Sequence, residues 1–285
     1  METRFPRPDP ALAFALVSRA VNQAGGRISS TDEIEWVEHG SSALIALHGD
    51  VAVRIARQPE LGAELVRVAE LLALLPELPF AVPHPLADPV ELDGYLAVPT
   101  RRIHGTNQPP EQLDPGLLIE LMDAIHSVPL EPLAPKLATP RAFMGGDDWL
   151  SVLTHRVLPL IDPTLQVQAQ RRITALAALP DQPRALNHGD LGRMNILWAN
   201  NRIAGVIDWD LAAEEDPAED VAAVGSSFDC WTALAGRLDE GVVARAEVFR
   251  QSFGLQIVAF AVINNRSSGE VARSVARAER NMLTG

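Results

Sequence analysis

Residues 186–197 read LNHGDLGRMNIL and residues 206–210 read VIDWD, and the interpretation of the chain begins with these two stretches. In both, polar side chains stand between apolar residues that are typical of short β-strands. The carboxylate of Asp190 falls in a turn, where it can orient an alcohol and accept its proton. An Asp after a Gly often only caps a turn, but Asn195, five residues on, favours the chemical interpretation.

Two further side chains, Asn195 and Asp208, offer the oxygen ligands that Mg²⁺ prefers. A hairpin between them would bring both side chains to the same end. Together with Asp190 they make up the minimal set for moving a phosphoryl group from a nucleotide to an alcohol. Asp210 would point the same way as Asp208 on a continuing strand, as a further ligand or as an acceptor behind it. For His188, a structural hydrogen-bonding role is favoured over metal ligation.

A single basic residue, Arg54, lies inside the apolar run VAVRIA of residues 51–56. A buried cation is costly unless it is paired, so this guanidinium requires an anion. Nucleotide phosphate is one candidate, and a helix carboxylate from Glu64 or Glu70 is another. An exposed position on a two-sided strand is the alternative.

The composition restricts the classes of partner. A chain of 285 residues suits one large domain or two lobes, and a net charge of −13 argues against nucleic-acid binding. The same charge weakly favours cationic partners. The single cysteine, Cys230, excludes an internal disulfide and a thiolate metal cluster. The first residues lack the pattern of a signal peptide, and the longest apolar run, Ile257 to Ile263, is too short to span a bilayer. We therefore expect a cytoplasmic protein with no membrane partner.

The hydrophobic pattern changes near residue 100, which is the predicted boundary between two parts. Residues 1–100 combine short β-like runs with two helical segments, whereas residues 101–285 are mostly helical. Helices are expected at 10–24, 61–75, 114–126, 149–160, 165–179 and from 218 onward, and strands at 34–37, 43–47, 51–56, 95–99, 196–198 and 203–207.

The residues of the two motif stretches, 186–197 and 206–210, resemble those of the aminoglycoside phosphotransferase family. The run from His188 to Leu191 with Asn195 is similar to the family's catalytic loop, and Ile207 to Asp210 is similar to its metal-binding segment. Asp216-Pro217 through Asp220 is similar to the segment that follows. The resemblance implies an α+β, protein-kinase-like two-lobed fold. Residues 1–100 would be a small β-rich nucleotide-binding lobe, and residues 101–285 a larger helical lobe with the catalytic loop and the substrate pocket.

The resemblance also implies a role for each matching residue. Asp190 is the expected catalytic base, Asn195 and Asp208 are the expected Mg²⁺ ligands, and Arg54 is the expected phosphate contact. The remaining expected nucleotide contacts are a phosphate-covering loop at Gly40, Ser41 and Ser42, and an inter-lobe strip beside the base that includes Val98 and Thr100.

Two departures from the family pattern concern the phosphate contact. Arg54 stands where the family usually has Lys, a replacement that some branches also show. The helix Glu that should pair with this cation falls near Arg67, which cannot pair with it, and this leaves Glu64 and Glu70, one turn away on either side, as the candidate substitutes. If neither does, the nucleotide phosphates would be held less firmly.

The leading hypothesis is a Mg²⁺-dependent kinase that transfers the γ-phosphate of ATP or GTP to a hydroxyl of a small, cationic antibiotic, conferring resistance. Different short segments resemble the viomycin and capreomycin branch and the macrolide branch, so the antibiotic stays open between aminoglycoside, macrolide and tuberactinomycin types.

The alternatives are a kinase of a small metabolite and a nucleotide-binding module without transfer activity. A metal-dependent hydrolase is disfavoured, because no His-x-x-x-His pair is present. A monomer and a dimer are both compatible with the sequence.

Overall fold

The structure is a computed structural model that describes residues 5–38 and 43–284. The predicted phosphate-covering loop at Gly40, Ser41 and Ser42 lies outside the described residues. Contacts divide the chain into two compact units. The first contains Met1–Glu111 and Met194–Asp210, and the second contains Gln112–Arg193 and Leu211–Gly285. The first unit therefore extends past residue 100. It also includes Met194–Asp210, which lies within the part that the hydrophobic pattern predicts to be mostly helical.

The strands and helices of the described residues are named in chain order. The strands are β1 Glu35–Val37, β2 Ala43–His48, β3 Val51–Ala56, β4 Val90–Leu92, β5 Tyr95–Arg101, β6 Ala185–Asn187, β7 Ile196–Ala199, β8 Arg202–Val206 and β9 Ala213–Glu215. The helices are α1 Pro10–Gln23, α2 Gly62–Leu74, α3 Pro115–His126, α4 Trp149–Ser151, α5 Gln166–Ala177, α6 Ala218–Ser227, α7 Trp231–Ala235, α8 Glu240–Ile263 and α9 Ser268–Thr284.

The first unit is built on an antiparallel sheet with strand order β1-β2-β3-β5-β4. Successive side chains of a strand point to opposite faces. On β3, Val53 and Ile55 join the core cluster that contains α1. Ala56, on the opposite face, packs with Leu65 of α2. The alternation therefore directs the side chain of Arg54 to the α2 face of the sheet.

A hairpin of β7 and β8 completes the first unit. Its turn is Asn200-Asn201, and both residues have positive φ, 51° and 59°, which is the geometry of the type I′ turn that favours Asn. The segment at Ala81 pairs with β8, since its N–H donates to the Ala204 carbonyl over 3.0 Å and its carbonyl accepts from Val206 N over 2.9 Å. This pairing fixes the hairpin that leads to Asp208.

The second unit consists mainly of helices, with β6 and β9 forming a short antiparallel ladder. Its long helix α8 contacts α5, α6 and α9. This helix is long and apolar enough to cross a membrane by length and composition alone, but half of its most apolar window is buried within the structure. The core helix of a soluble protein has the same properties.

A substitution in β8 tests the pairing that fixes the hairpin. A Cβ atom at Gly205 would lie 2.5 Å from the Ala81 carbonyl oxygen. Gly205→Ala should therefore lower the free energy of unfolding by about 1–3 kcal/mol, measured by urea denaturation.

The matched control is Gly236→Ala, where the nearest atom to an added Cβ is 3.6 Å away and φ is −74°. This control should change stability by less than about 0.5 kcal/mol. Equal stability of the two variants would contradict the close approach of β8 and residue 81.

Candidate active site

The turn that carries Asp190 follows β6 in the second unit. His188 is fully buried, and Gly189 has a φ of +79°. A Cβ atom at Gly189 would collide with the Leu211 carbonyl, so the turn requires glycine both for its backbone angle and for space. Asp190 N donates to His188 Nδ1 over 3.3 Å. The structure thus gives His188 the structural hydrogen-bonding role that the sequence favoured.

The carboxylate of Asp220, in the first turn of α6, holds the backbone of this turn. Oδ2 accepts from His188 N over 2.9 Å, and Oδ1 accepts from Gly189 N over 3.2 Å. His126 Nε2 lies 3.3 Å from Oδ2. Asp220 is fully buried, and a buried carboxylate is tolerated when it is hydrogen-bonded in this way. In the sequence Asp220 is only part of the segment that resembles the one after the family's metal-binding segment, and its contact with the two residues before Asp190 is a finding of the structure.

Three other acidic side chains surround the start of α6. Asp216 accepts from Arg245 Nε over 2.7 Å and from Ala218 N over 3.0 Å. Burial and the nearby carboxylates raise the pKa of Glu219 to about 8. Burial also raises the pKa of Glu215, although Arg141, 3.6 Å away, opposes the shift. Asp216 and Glu215 are therefore both ion-paired, while Glu219 is largely neutral below its raised pKa.

The expected metal ligands belong to the β7–β8 hairpin of the first unit. Ile207 N donates to the Asn195 carbonyl over 2.9 Å, one step beyond the Ile196–Val206 pair. Asn195 and Asp208 therefore both lie at the open end of the hairpin, as the sequence suggested. The amide of Asn195 is mostly buried, while the Asp208 side chain is 49% exposed.

These oxygen donors fit Mg²⁺, which commonly takes one or two protein ligands and completes its shell with phosphate and water. The described part of the chain contains no group of three or more His, Cys, Asp or Glu side chains that could hold a metal ion. The pair therefore suits a cation that arrives with a phosphate ligand better than a closed protein cage.

The chain turns sharply at Asp208, whose φ is +66°. Residues Trp209–Leu211 then form a 3-10 turn, and Trp209 is fully buried with Nε1 donating to the Val206 carbonyl over 3.0 Å. The expectation that Asp210 continues the strand beside Asp208 is wrong, because β8 ends at Val206. The buried indole anchors the turn and redirects the residues after it.

Asp210 is the principal partner of Arg54. Arg54 Nη2 lies 2.6 Å from Asp210 Oδ1 and 3.8 Å from Asp208 Oδ1. Burial lowers the pKa of Arg54, but the carboxylates of Asp210 and Asp208 raise it above its ordinary value. The expectation of a direct partner in Glu64 or Glu70 is wrong. Glu64 pairs with Arg67 instead and acts on Arg54 only at longer range.

The two remaining expected nucleotide contacts lie within β5. Val98 is buried and pairs with Arg54 across the sheet. Thr100 is also buried, and its hydroxyl donates to the Ala52 carbonyl over 3.0 Å. Their role beside a nucleotide base stays a prediction, as does that of Gly40, Ser41 and Ser42.

The residues of the expected catalytic loop and of the expected metal-binding segment all fall within one family match. The family model described as "Phosphotransferase enzyme family" (APH) matches residues 35–256. The chain belongs to the APH phosphotransferase enzyme family. The resemblance stated from the sequence is thereby confirmed. Among curated proteins, this APH chain is 36% identical over 128 residues to the viomycin phosphotransferase of Streptomyces vinaceus. That match covers 41% of this chain and 45% of the relative, so it spans less than half of either protein.

Solved structures confirm the predicted fold class. The GDP complex of wild-type aminoglycoside 2'-phosphotransferase-IIIa has a TM-score of 0.78 at 18% identity, covering 95% of this APH chain and 98% of that chain. The apoenzyme of macrolide 2'-phosphotransferase MphH from Brachybacterium faecium has a TM-score of 0.66 at 21% identity, covering 91% and 96%. At these identities the likeness establishes the shared α+β, kinase-like fold.

The Asp220 anchor leads to a stability prediction. Asp220→Asn places an amide N–H₂ against backbone donors, because Asn cannot offer two acceptor oxygens. We expect a loss of about 2–3 kcal/mol in the free energy of unfolding, measured by urea denaturation. Asp123→Asn, at an exposed position on α3, is the control and should remain within about 0.5 kcal/mol of the parent protein. An equally small change for Asp220→Asn would contradict the anchor.

The raised pKa of Glu219 leads to a pH prediction. Between its ordinary pKa of 4.5 and its raised pKa of about 8, the folded state binds more protons at this carboxyl than the unfolded state. Stability contributed by this group is therefore present at low pH and declines as pH rises through that window. Glu219→Gln, which stays neutral, should flatten the decline in unfolding free energy across this window. If the free energy of unfolding changed with pH in the same way for the parent protein and the variant, the raised pKa of Glu219 would be contradicted.

Proposed function

We propose that this protein is a Mg²⁺-dependent phosphotransferase that moves the γ-phosphoryl group of ATP or GTP to a hydroxyl of a small-molecule antibiotic. The observation that carries the proposal is the β7–β8 hairpin, which presents Asn195 and Asp208 at one end as a pair of oxygen donors. The turn bearing Asp190 stands directly before this hairpin in the chain, and both fall inside the family match.

Each residue of the proposed mechanism has a defined task. Asp190 orients the acceptor hydroxyl and accepts its proton as the new bond to the γ-phosphorus forms, while the bond from that phosphorus to the bridging oxygen breaks and the nucleoside diphosphate leaves. Asn195 and Asp208 would hold Mg²⁺, which supplies charge neutralisation for the nucleotide phosphates when it is bound. The guanidinium of Arg54, close to Asp208, is a fixed positive charge for the same phosphates. Acceleration then comes mainly from positioning and electrostatic stabilisation.

The acceptor is proposed from similarity and charge. The relative at 36% identity is a viomycin phosphotransferase, and other proteins of this fold have been solved with kanamycin or with hygromycin B. A net charge of −13 is compatible with a cationic acceptor. Viomycin is therefore the first acceptor to test, followed by aminoglycosides and macrolides. We further propose that the enzyme works in the cytoplasm, as a monomer or a dimer, where nucleotide and Mg²⁺ are available.

A second candidate function is phosphorylation of a small metabolite hydroxyl. The same Asp190, Asn195 and Asp208 would serve it, since transfer depends on a hydroxyl and not on the rest of the acceptor. Mass-spectrometric screening of a polar metabolite extract alongside the antibiotics separates the two candidates. A phosphate-sized gain on a metabolite alone would favour the metabolite kinase.

Removing the proposed base tests the mechanism. Asp190→Ala should lower kcat for transfer by about 10²–10⁴-fold, the usual contribution of a general base. Nucleotide affinity, measured by calorimetry, should stay near that of the parent protein, because Asp190 acts on the acceptor. Asp123→Asn is the control and should keep full turnover. Normal turnover by Asp190→Ala would refute the assignment of the base.

A further inference from the structure

Helix α2 of the first unit carries an arginine at the point where the family resemblance implies a glutamate. Arg67 does not pair with Arg54, yet its side chain is only 19% exposed. Its Nη2 donates to the main-chain carbonyl of Asp210 over 2.7 Å. Helix α2 is therefore linked directly to the metal-binding segment, through a donor and not through a carboxylate.

Glu64 holds Arg67 in this orientation. Arg67 Nε donates to Glu64 Oε2 over 2.9 Å, and Nη2 donates to Glu64 Oε1 over 2.5 Å. A two-point pair between a guanidinium and a carboxylate fixes the plane of the guanidinium as well as its position. Glu64 and Arg67 lie three residues apart on one helix, where their side chains are already neighbours, so forming the pair costs little further conformational entropy.

Asp210 is consequently held by its side-chain carboxylate and by its main-chain carbonyl. Arg54 binds its carboxylate over 2.6 Å, and Arg67 binds its carbonyl over 2.7 Å. Asp208 lies two residues earlier, in a left-handed backbone conformation with φ +66°. Such a conformation costs a non-glycine residue energy and persists only where its surroundings impose it. Arg54, Arg67 and the burial of Trp209 all constrain the chain directly after Asp208.

We propose that Arg67 is a positioning residue, which fixes the main chain after Asp208 so that this carboxylate is presented to the divalent cation. The inference rests on the proposed function, because it concerns the same metal-dependent step. A Glu at position 67 could not replace Arg67, since an ionised carboxylate donates no hydrogen bond and would repel the Asp210 carbonyl. The residue that departs from the family pattern thus acts on the metal segment itself.

The test measures how nucleotide binding depends on Mg²⁺, without any acceptor. Arg67→Ala should raise the Mg²⁺ concentration for half-maximal nucleotide binding by about 10-fold, as expected when the support of a metal ligand is lost. Nucleotide affinity in the presence of a chelator should change less than about twofold. Arg67→Lys should recover part of the effect, because an ammonium can still donate to the carbonyl. Glu64→Gln should shift the Mg²⁺ requirement in the same direction, but by less than Arg67→Ala.

The matched control is Arg250→Ala. Arg250 forms the same two-point pair with Glu247, three residues earlier on α8, but it belongs to the second unit and is remote in sequence from the metal segment. The control should leave the Mg²⁺ requirement unchanged. It therefore separates the loss of a helix ion pair from the loss of the contact with Asp210.

The Mg²⁺ requirements of the parent protein and of the Arg67 variants decide the proposal. A raised Mg²⁺ requirement in Arg67→Ala, with recovery in Arg67→Lys, supports it. A Mg²⁺ requirement equal to that of the parent protein overturns it, as does an equal loss of nucleotide binding with and without metal. If the parent protein shows no Mg²⁺-dependent nucleotide binding, the proposed function fails and the inference fails with it. If the parent protein binds Mg²⁺-nucleotide but transfers to no acceptor, the binding experiment still decides the role of Arg67.

Discussion

The buried carboxylate of Asp220 is the interaction on which the candidate catalytic turn depends. It accepts hydrogen bonds from the backbone of His188 and Gly189, so the two residues before Asp190 cannot move without leaving a buried charge unsatisfied. Breaking such a contact is far more costly than its net contribution suggests, because the desolvation of the charged group remains. The position of Asp220 in the first turn of α6 adds the favourable field of a helix N-terminus.

The acidic residues around α6 show how one short segment tolerates so much negative charge. The charge of Asp216 is balanced by Arg245, the carboxylate of Asp220 is stabilised by backbone donors, and Glu219 retains its proton. The ion pair and the retained proton leave the local structure with less net charge than the sequence implies. The stability of this region is therefore expected to follow pH through Glu219.

In the first unit, the carboxylates of Asp208 and Asp210 have different surroundings. Arg54 and Arg67 hold Asp210 by its side chain and by its carbonyl, so this residue acts as part of the scaffold. Asp208 remains about half exposed, as its proposed contact with a cation requires. The left-handed turn between the strand and Trp209 is what separates the two roles.

The sequence predicted those features that depend on local periodicity. Strands β2 and β3, helix α1 and the β7–β8 hairpin follow from alternation and helical spacing. Strand β9 was missed, because three residues with two glutamates lack the pattern of a strand and form one only by pairing with β6.

Other features could not be predicted from local sequence patterns. The predicted helix at 149–160 is divided into a short α-helix, a wider π-helical stretch and a 3-10 turn. Pro159 cannot donate a backbone hydrogen bond, which helps to end the regular helix. The partner of Arg54 lies 156 residues away in the chain, so no local pattern could have identified Asp210, and the contact of Arg67 is of the same kind.

The most direct test of the account follows the transferred group itself. The protein is incubated with Mg²⁺ and with ATP or GTP carrying ¹⁸O on the non-bridging γ-phosphoryl oxygens, in the presence of viomycin, an aminoglycoside, a macrolide or a polar metabolite extract. The account predicts an acceptor whose mass increases by an intact, fully labelled phosphoryl group. Release of all of the label as inorganic phosphate, whichever acceptor is present, would contradict it.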